Sequence, residues 1–170
     1  GLLRHDTFHH LDRLTQPAPA LTGAPVSLIS MVDEDRQYFT SEHGLHDPWA
    51  SARETPLSHS VCQNVVTSEK PVVIDDLGAD PAFVDHPARL DIGVEAYCGV
   101  PIRDPDGRIL GSFCVIDDER HAWDTRTVHI LEQLAALVTD AVATRVFPSP
   151  VRISAIPPSW RIIPPRSWTS

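Results

Sequence analysis

From Val26 to Val32 the chain runs almost unbroken through apolar side chains, Val26-Ser27-Leu28-Ile29-Ser30-Met31-Val32. A run of that length without alternation predicts a strand covered on both faces. Asp33-Glu34-Asp35-Arg36 follows as polar turn chemistry, and Gln37-Tyr38-Phe39-Thr40-Ser41 predicts a second strand, so the two read as a hairpin. Upstream, Phe8, Leu11 and Leu14 recur at helical spacing within Asp6–Thr15, and Pro17 and Pro19 end that helix. His46 to Thr55 reads as loop. Ser58 is placed to cap a helix carrying Val61, Val65 and Val66, with Cys62 on or beside its buried face. Pro71–Asp75 reads as a third strand, and Pro81, Pro87 and Gly93 break residues 78–93 into an irregular segment with one short helix.

Two β-rich runs, Ala96–Ile102 and Ile109–Ile116, flank Asp104-Pro105-Asp106-Gly107 and predict an antiparallel hairpin. If Arg103 pairs with Arg108, Cys98 lies opposite Phe113, and Cys98 and Cys114 face opposite sides of the sheet. A slip of one residue reverses that conclusion. Asp124 to Arg145 is the strongest helix, with Asp124 as its cap. Val128, Leu131, Ala135, Val138, Val142 and Arg145 form one seam, and Ile130, Leu134, Leu137 and Ala141 a second. The second seam is buried within the domain or offered to a partner.

Charge divides the chain in two. The net charge of −9 comes from 23 acidic and 14 basic residues. All 23 acids lie between Asp6 and Asp140, whereas three of the bases, Arg152, Arg161 and Arg166, lie beyond residue 147. Residues 1–147 therefore carry 23 acids against 11 bases, a net −12, which argues against direct nucleic-acid binding. No apolar stretch reaches a membrane span, and 42% hydrophobic content suffices for one packed core. The start, Gly1-Leu2-Leu3-Arg4-His5-Asp6, has no Met and no signal pattern, and reads as a cut from a longer polypeptide. Residues 147–170 read as a non-globular tail holding six of the 16 prolines and two of the four tryptophans. Their near-repeat of Ile-Pro-Pro and Trp suits either a proline-rich docking segment or, as we prefer, an out-of-frame or truncated end. Cys62, Cys98 and Cys114 are too few and too widely spaced for a zinc motif or a disulfide framework, and read as free thiols.

The order of elements describes an α/β (α+β) domain with an antiparallel central sheet of five to six strands and a long C-terminal helix. Residues 1–146 resemble a GAF domain, a PAS-like regulatory module of bacterial sensor histidine kinases, diguanylate cyclases and serine phosphatases. The resemblance is carried by Ala24–Asp33, Arg36–Phe39, Glu54–Cys62, Val73–Asp76, Ala96–Ile102 and Leu110–Asp117 in that order. It implies a cytoplasmic, non-catalytic sensory domain of a two-component or related system. Such a domain binds a small ligand or dimerises, here through residues 124–146, and relays the signal through its terminal helices to an output kinase, cyclase or phosphatase domain. A purely structural dimerisation module is the competing reading. For the ligand pocket the resemblance points to His59, Cys62, Asp76, Phe83, Tyr97, Phe113 and Cys114.

Cofactor chemistry finds little support. The segment that would carry a bilin-linking cysteine, Phe83–Asp91, has none, and the cyclic-nucleotide signature is missing. Haem would need an axial ligand such as His86, a lone loop histidine expected at the surface. His5, His9 and His10 point in different directions along a helix, so no metal site is assigned. Ser58-His59-Ser60 with Asp75 or Asp76 lacks a glycine-flanked nucleophile turn. Cys62 resembles one cysteine of the free methionine sulfoxide reductases, a branch of the same family. Pro87-Ala88-Arg89 stands where their catalytic cysteine belongs.

Overall fold

Six strands form one sheet in the order β3-β2-β1-β6-β5-β4, and every neighbouring pair is antiparallel. A computed structural model describes the chain from His5 to Val146, with side chains from His10 to Ala143. The strands are β1 (Val26–Val32), β2 (Arg36–His43), β3 (Glu54–Pro56), β4 (Val72–Ile74), β5 (Ala96–Arg103) and β6 (Ile109–Asp117). The helices are α1 (His5–Thr15), α2 (Ala18–Thr22), α3 (Trp49–Ala52), α4 (Cys62–Ser68) and α5 (Thr125–Val146). The proline-rich tail lies outside the described residues.

The pleat divides the core into two layers. Ile29, Met31, Ala96, Cys98, Val100, Phe113 and Val115 face α1, α2 and α5, where they meet Leu11, Ala18, Leu131, Ala135, Val138 and Val142. Their neighbours Leu28, Phe39, Tyr97, Cys114 and Ile116 face the other way, toward α4 and the segment between β4 and β5. This is why β1, β5 and β6 carry almost no polar alternation: both of their faces are covered. Leu131, Ala135, Val138 and Val142 of the first seam are buried, whereas in the second Leu134 and Ala141 pack partly against the core and Leu137 is 49% exposed.

Asp124 caps α5 as expected, accepting from the Thr127 amide at 2.8 Å and its hydroxyl at 2.9 Å. Ser58 does not cap α4. It lies in a 3₁₀ turn, Leu57–His59, and Ser60 Oγ accepts from the Gln63 amide at 3.1 Å instead. Residues 46–55 are not all loop: α3 and β3 form there, and β3 extends the sheet beyond β2 because Thr55 pairs with Gln37. The segment between β4 and β5 holds a 3₁₀ turn, Leu77–Ala79, and a π turn, Ala88–Ile92.

The β5–β6 register differs from the expected one by two residues, pairing Cys98 with Val115 and Gly99 with Cys114. A shift of two preserves the parity of the pleat, so Cys98 and Cys114 do face opposite sides. Gly99 is required by what lies beside it. A Cβ there would fall 2.6 Å from Ser112 Oγ and 2.7 Å from Cζ of Tyr97, whose ring lies along the strand. Gly99→Ala therefore has to displace a buried ring, and a loss of about 2 kcal/mol is expected in urea unfolding. An unchanged midpoint would show that the ring moves aside without cost.

Candidate functional site: a cavity beneath α4

Four strands contribute polar groups to a buried stripe on the α4 face. Ser30 and Ser112 sit opposite each other on β1 and β6, and Gln37 of β2 accepts from Ser30 Oγ at 3.1 Å. On the far side Ser112 Oγ lies 3.0 Å from the Tyr97 hydroxyl, which donates to Cys62 Sγ at 3.2 Å. Cys62 Sγ is in turn 3.9 Å from Cys114 Sγ. Buried polar groups are expensive unless paired, and this chain pairs its members across β2, β1, β6, β5 and α4.

The two sulfurs are electrostatically unlike. Hydrogen bonding from Cys114, reinforced by Tyr97, Ser30 and Ser112, outweighs desolvation and holds the Cys62 thiol down at about 7. Cys114 is well above its ordinary value because its proton is engaged with Cys62 and it is buried. Burial, then the nearby thiols, push the Tyr97 hydroxyl well up, so it stays a donor. Cys98, on the other face, is pushed up to about 12 by burial and by Asp75 and Asp124.

Above this stripe lies a cavity of about 30 Å³ with a largely apolar wall. That is room for about one or two water molecules. Leu28, Phe39, Tyr97 and Cys114 form its floor, Val61 and Cys62 one side, and Ala88, Ile92 and Val94 another. Trp49 and His59 stand at its edge with ring centroids 5.6 Å apart. His59 Nε2 is 2.7 Å from Asp91 in the π turn, and Nδ1 is 3.0 Å from Ser58 Oγ. A carboxylate only accepts, so Nε2 carries a proton, and in the neutral ring Nδ1 accepts from Ser58. This contact ties α4's leading turn to the π turn across the cavity. Arg89 pins the same segment through Glu95 at 3.0 Å and the Val84 carbonyl at 3.0 Å.

Of the expected pocket residues, His59, Cys62, Tyr97 and Cys114 line this cavity together. Phe83 packs in the same apolar layer but is not in the wall. Phe113 is fully buried on the opposite face against the helices, because it is one pleat step from Cys114. Asp76 lies with Asp75, Asp80 and Trp123 in a separate surface depression. Asp75 is likewise away from Ser58 and His59; it accepts from the Trp123 amide at 3.2 Å. His86 is half-buried, not a plain surface histidine: Nδ1 accepts from the Ala88 amide at 3.0 Å, and burial lowers its pKa. Among the described residues no three His, Cys, Asp or Glu side chains are grouped to hold a metal, and no helix is long and apolar enough to cross a membrane.

Sequence reading missed Gln37, Trp49 and Asp91. Gln37 left a trace, a polar residue two positions from Phe39 on one face of a strand. Trp49 and Asp91 sit in segments whose course depends on tertiary contacts, and no local pattern marks them.

The GAF domain family profile matches residues 10–142. The chain belongs to the GAF family. A cyclic di-GMP phosphodiesterase of Pseudomonas aeruginosa is 32% identical over 146 residues, 85% of this chain. The chain spans only about a quarter (24%) of that protein's length. The GAF domain of an Acinetobacter phosphoenolpyruvate-protein phosphotransferase has a similar fold, with a TM-score of 0.65 at 17% identity, covering 81% of this chain and 82% of that one. So does free methionine-R-sulfoxide reductase from Neisseria meningitidis, with a TM-score of 0.64 at 19% identity, covering 84% and 81%. Six antiparallel strands and the long helix α5 are thus the GAF arrangement in this chain.

The hydroxyl of Tyr97 is the link between stripe and cavity. Tyr97→Phe is expected to cost about 1–2 kcal/mol, since Ser112 loses a buried partner. It should also raise the Cys62 thiol above about 7, because a hydrogen bond that favours the thiolate is gone. Thiolate absorbance in the ultraviolet against pH measures the second effect; an unshifted curve would remove Tyr97 from that role.

Proposed function

We propose that this GAF domain is a non-catalytic sensor whose ligand enters the cavity beneath α4 and biases α1 and α5. One observation carries the reading: the cavity wall and the helix-bearing face share the same strands, residue by residue. Tyr97 and Cys114 line the cavity, while Cys98, Phe113 and Val115 beside them carry the terminal helices. A sheet held on both sides transmits displacement because its interior is close-packed. Ligand binding shifts the helix arrangement only through unequal affinity for two states.

The cavity sets the chemistry of the ligand. It is small, so an occupant larger than about two water molecules must push out the π turn or the first turn of α4. The wall suits a small, mostly apolar metabolite with one polar group near His59 or Gln37. Within the free methionine sulfoxide reductase resemblance, the segment that would hold the catalytic cysteine puts Ala88 in the wall, which favours binding over catalysis. The likeness to a cyclic di-GMP phosphodiesterase supports an output domain that turns over a cyclic dinucleotide, controlled from α5. A dimer through residues 124–146 is the second proposed role, supported by the exposure of Leu137; sedimentation across concentration of wild type and Leu137→Glu tests it.

A thermal-shift screen of metabolites on the reduced protein tests the sensory reading. A true ligand at about 100 times its Kd should stabilise the domain by about 2.7 kcal/mol. Ala88→Phe, which fills the wall, should abolish that shift while the variant still unfolds cooperatively. A panel without a hit, or a hit that Ala88→Phe leaves intact, would overturn it.

A further inference from the structure

We propose that Cys62 and Cys114 form a hydroperoxide-oxidisable dithiol at the floor of the cavity. The geometry is that of two free thiols on different elements, the first turn of α4 and the centre of β6, with sulfurs 3.9 Å apart. A disulfide needs about 2.05 Å, so a movement of about 2 Å by α4 or its side chain closes the bond. Both sulfurs line the cavity and are otherwise buried, at 3% and 0% exposure. Their route to solvent is therefore the cavity itself, whose space admits molecules the size of water or a small hydroperoxide. The neighbouring cleft shares Leu45, Trp49, Ile92, Val94 and Ile116 with it and extends the path outward.

The surroundings assign the roles. Cys62 accepts a hydrogen bond from the Tyr97 hydroxyl and lies within reach of the Cys114 S–H, and a donor to Cys62 favours its thiolate, so Cys62 is the attacking sulfur. It attacks one oxygen of the hydroperoxide, the O–O bond breaks, and the leaving oxygen takes the proton that Cys62 gave up, departing as an alcohol or water. Cys62 is then a sulfenic acid. Cys114 attacks its sulfur, the S–O bond breaks, and hydroxide leaves with the Cys114 proton as water. Two thiols are oxidised by two electrons and one hydroperoxide is reduced. Cys98 cannot take part, because the pleat places it on the helix-bearing face. Formation of the bond draws α4 toward β6, at a strand position flanked by Phe113 and Val115, which support α1 and α5.

The full chain, reduced and free of ligand, is exposed to hydrogen peroxide and then alkylated in denaturant. The expected product has lost about 2 Da, keeps one alkylatable thiol at Cys98, yields a linked peptide pair containing Cys62 and Cys114, and returns to three thiols with dithiothreitol. Its melting temperature should rise relative to the reduced protein. Cys98→Ser should behave as wild type, while Cys114→Ser should stop at an oxygen adduct on Cys62. The peptide map of the wild type suffices if either variant fails to fold. Three free thiols after an exposure that oxidises the same chain in denaturant would overturn the proposal. So would a cross-link through Cys98 or between molecules. No ligand is present, so this outcome is separate from that of the metabolite screen.

Discussion

A phenol hydroxyl sealed inside a protein has to find partners, and in this domain much of one face is arranged around that need. Tyr97 is 2% exposed, yet its hydroxyl reaches both Ser112 and Cys62. It can do so only because residue 99 has no side chain, which lets the ring lie along β5. The same hydroxyl fixes the height of α4 above the sheet, since its acceptor is the first residue of that helix. Without the pairing, a buried donor and a buried hydroxyl acceptor would both stand unsatisfied, at about 1–3 kcal/mol each.

From that constraint the two-sided organisation follows. The α4 face combines a polar stripe with an apolar wall around a small cavity. The opposite face has a buried polar set of its own, where Ser27 donates to the Thr15 carbonyl and Thr15 pairs with Ser41 between α1 and the sheet. Leu131, Val138, Phe113 and Val115 are all fully buried in the apolar part of that layer. The strands between the two layers are common to both.

Thiol chemistry here depends on which side of the pleat a cysteine occupies. Cys98 and Cys114 are on paired strands, but one is pushed to about 12 by burial and two carboxylates while the other shares its proton with a thiol held at about 7. Composition treats the three cysteines alike. Their surroundings make one inert and bring the other two within 3.9 Å.

Local pattern by itself determined the strands β1, β2, β5 and β6 and the long α5 with its Asp124 cap. The physical reason is that these features depend on periodicity and capping, both of which act over a few residues. The resemblance to the GAF family, and not periodicity, pointed to His59, Cys62, Tyr97 and Cys114 together. Phe113 was misplaced because adjacent strand residues face opposite sides, and Ser60 in place of Ser58 accepts at the start of α4 because residues 57–59 form a 3₁₀ turn. Trp49, Asp91 and the whole π turn emerge only in three dimensions: contacts between segments more than 30 residues apart, such as His59 with Asp91, leave no periodic mark on either. Tertiary structure alone brought the sulfurs of Cys62 and Cys114 together, for a helix on one side of the chain and a strand on the other meet only once the hydroxyl of Tyr97 is satisfied between them.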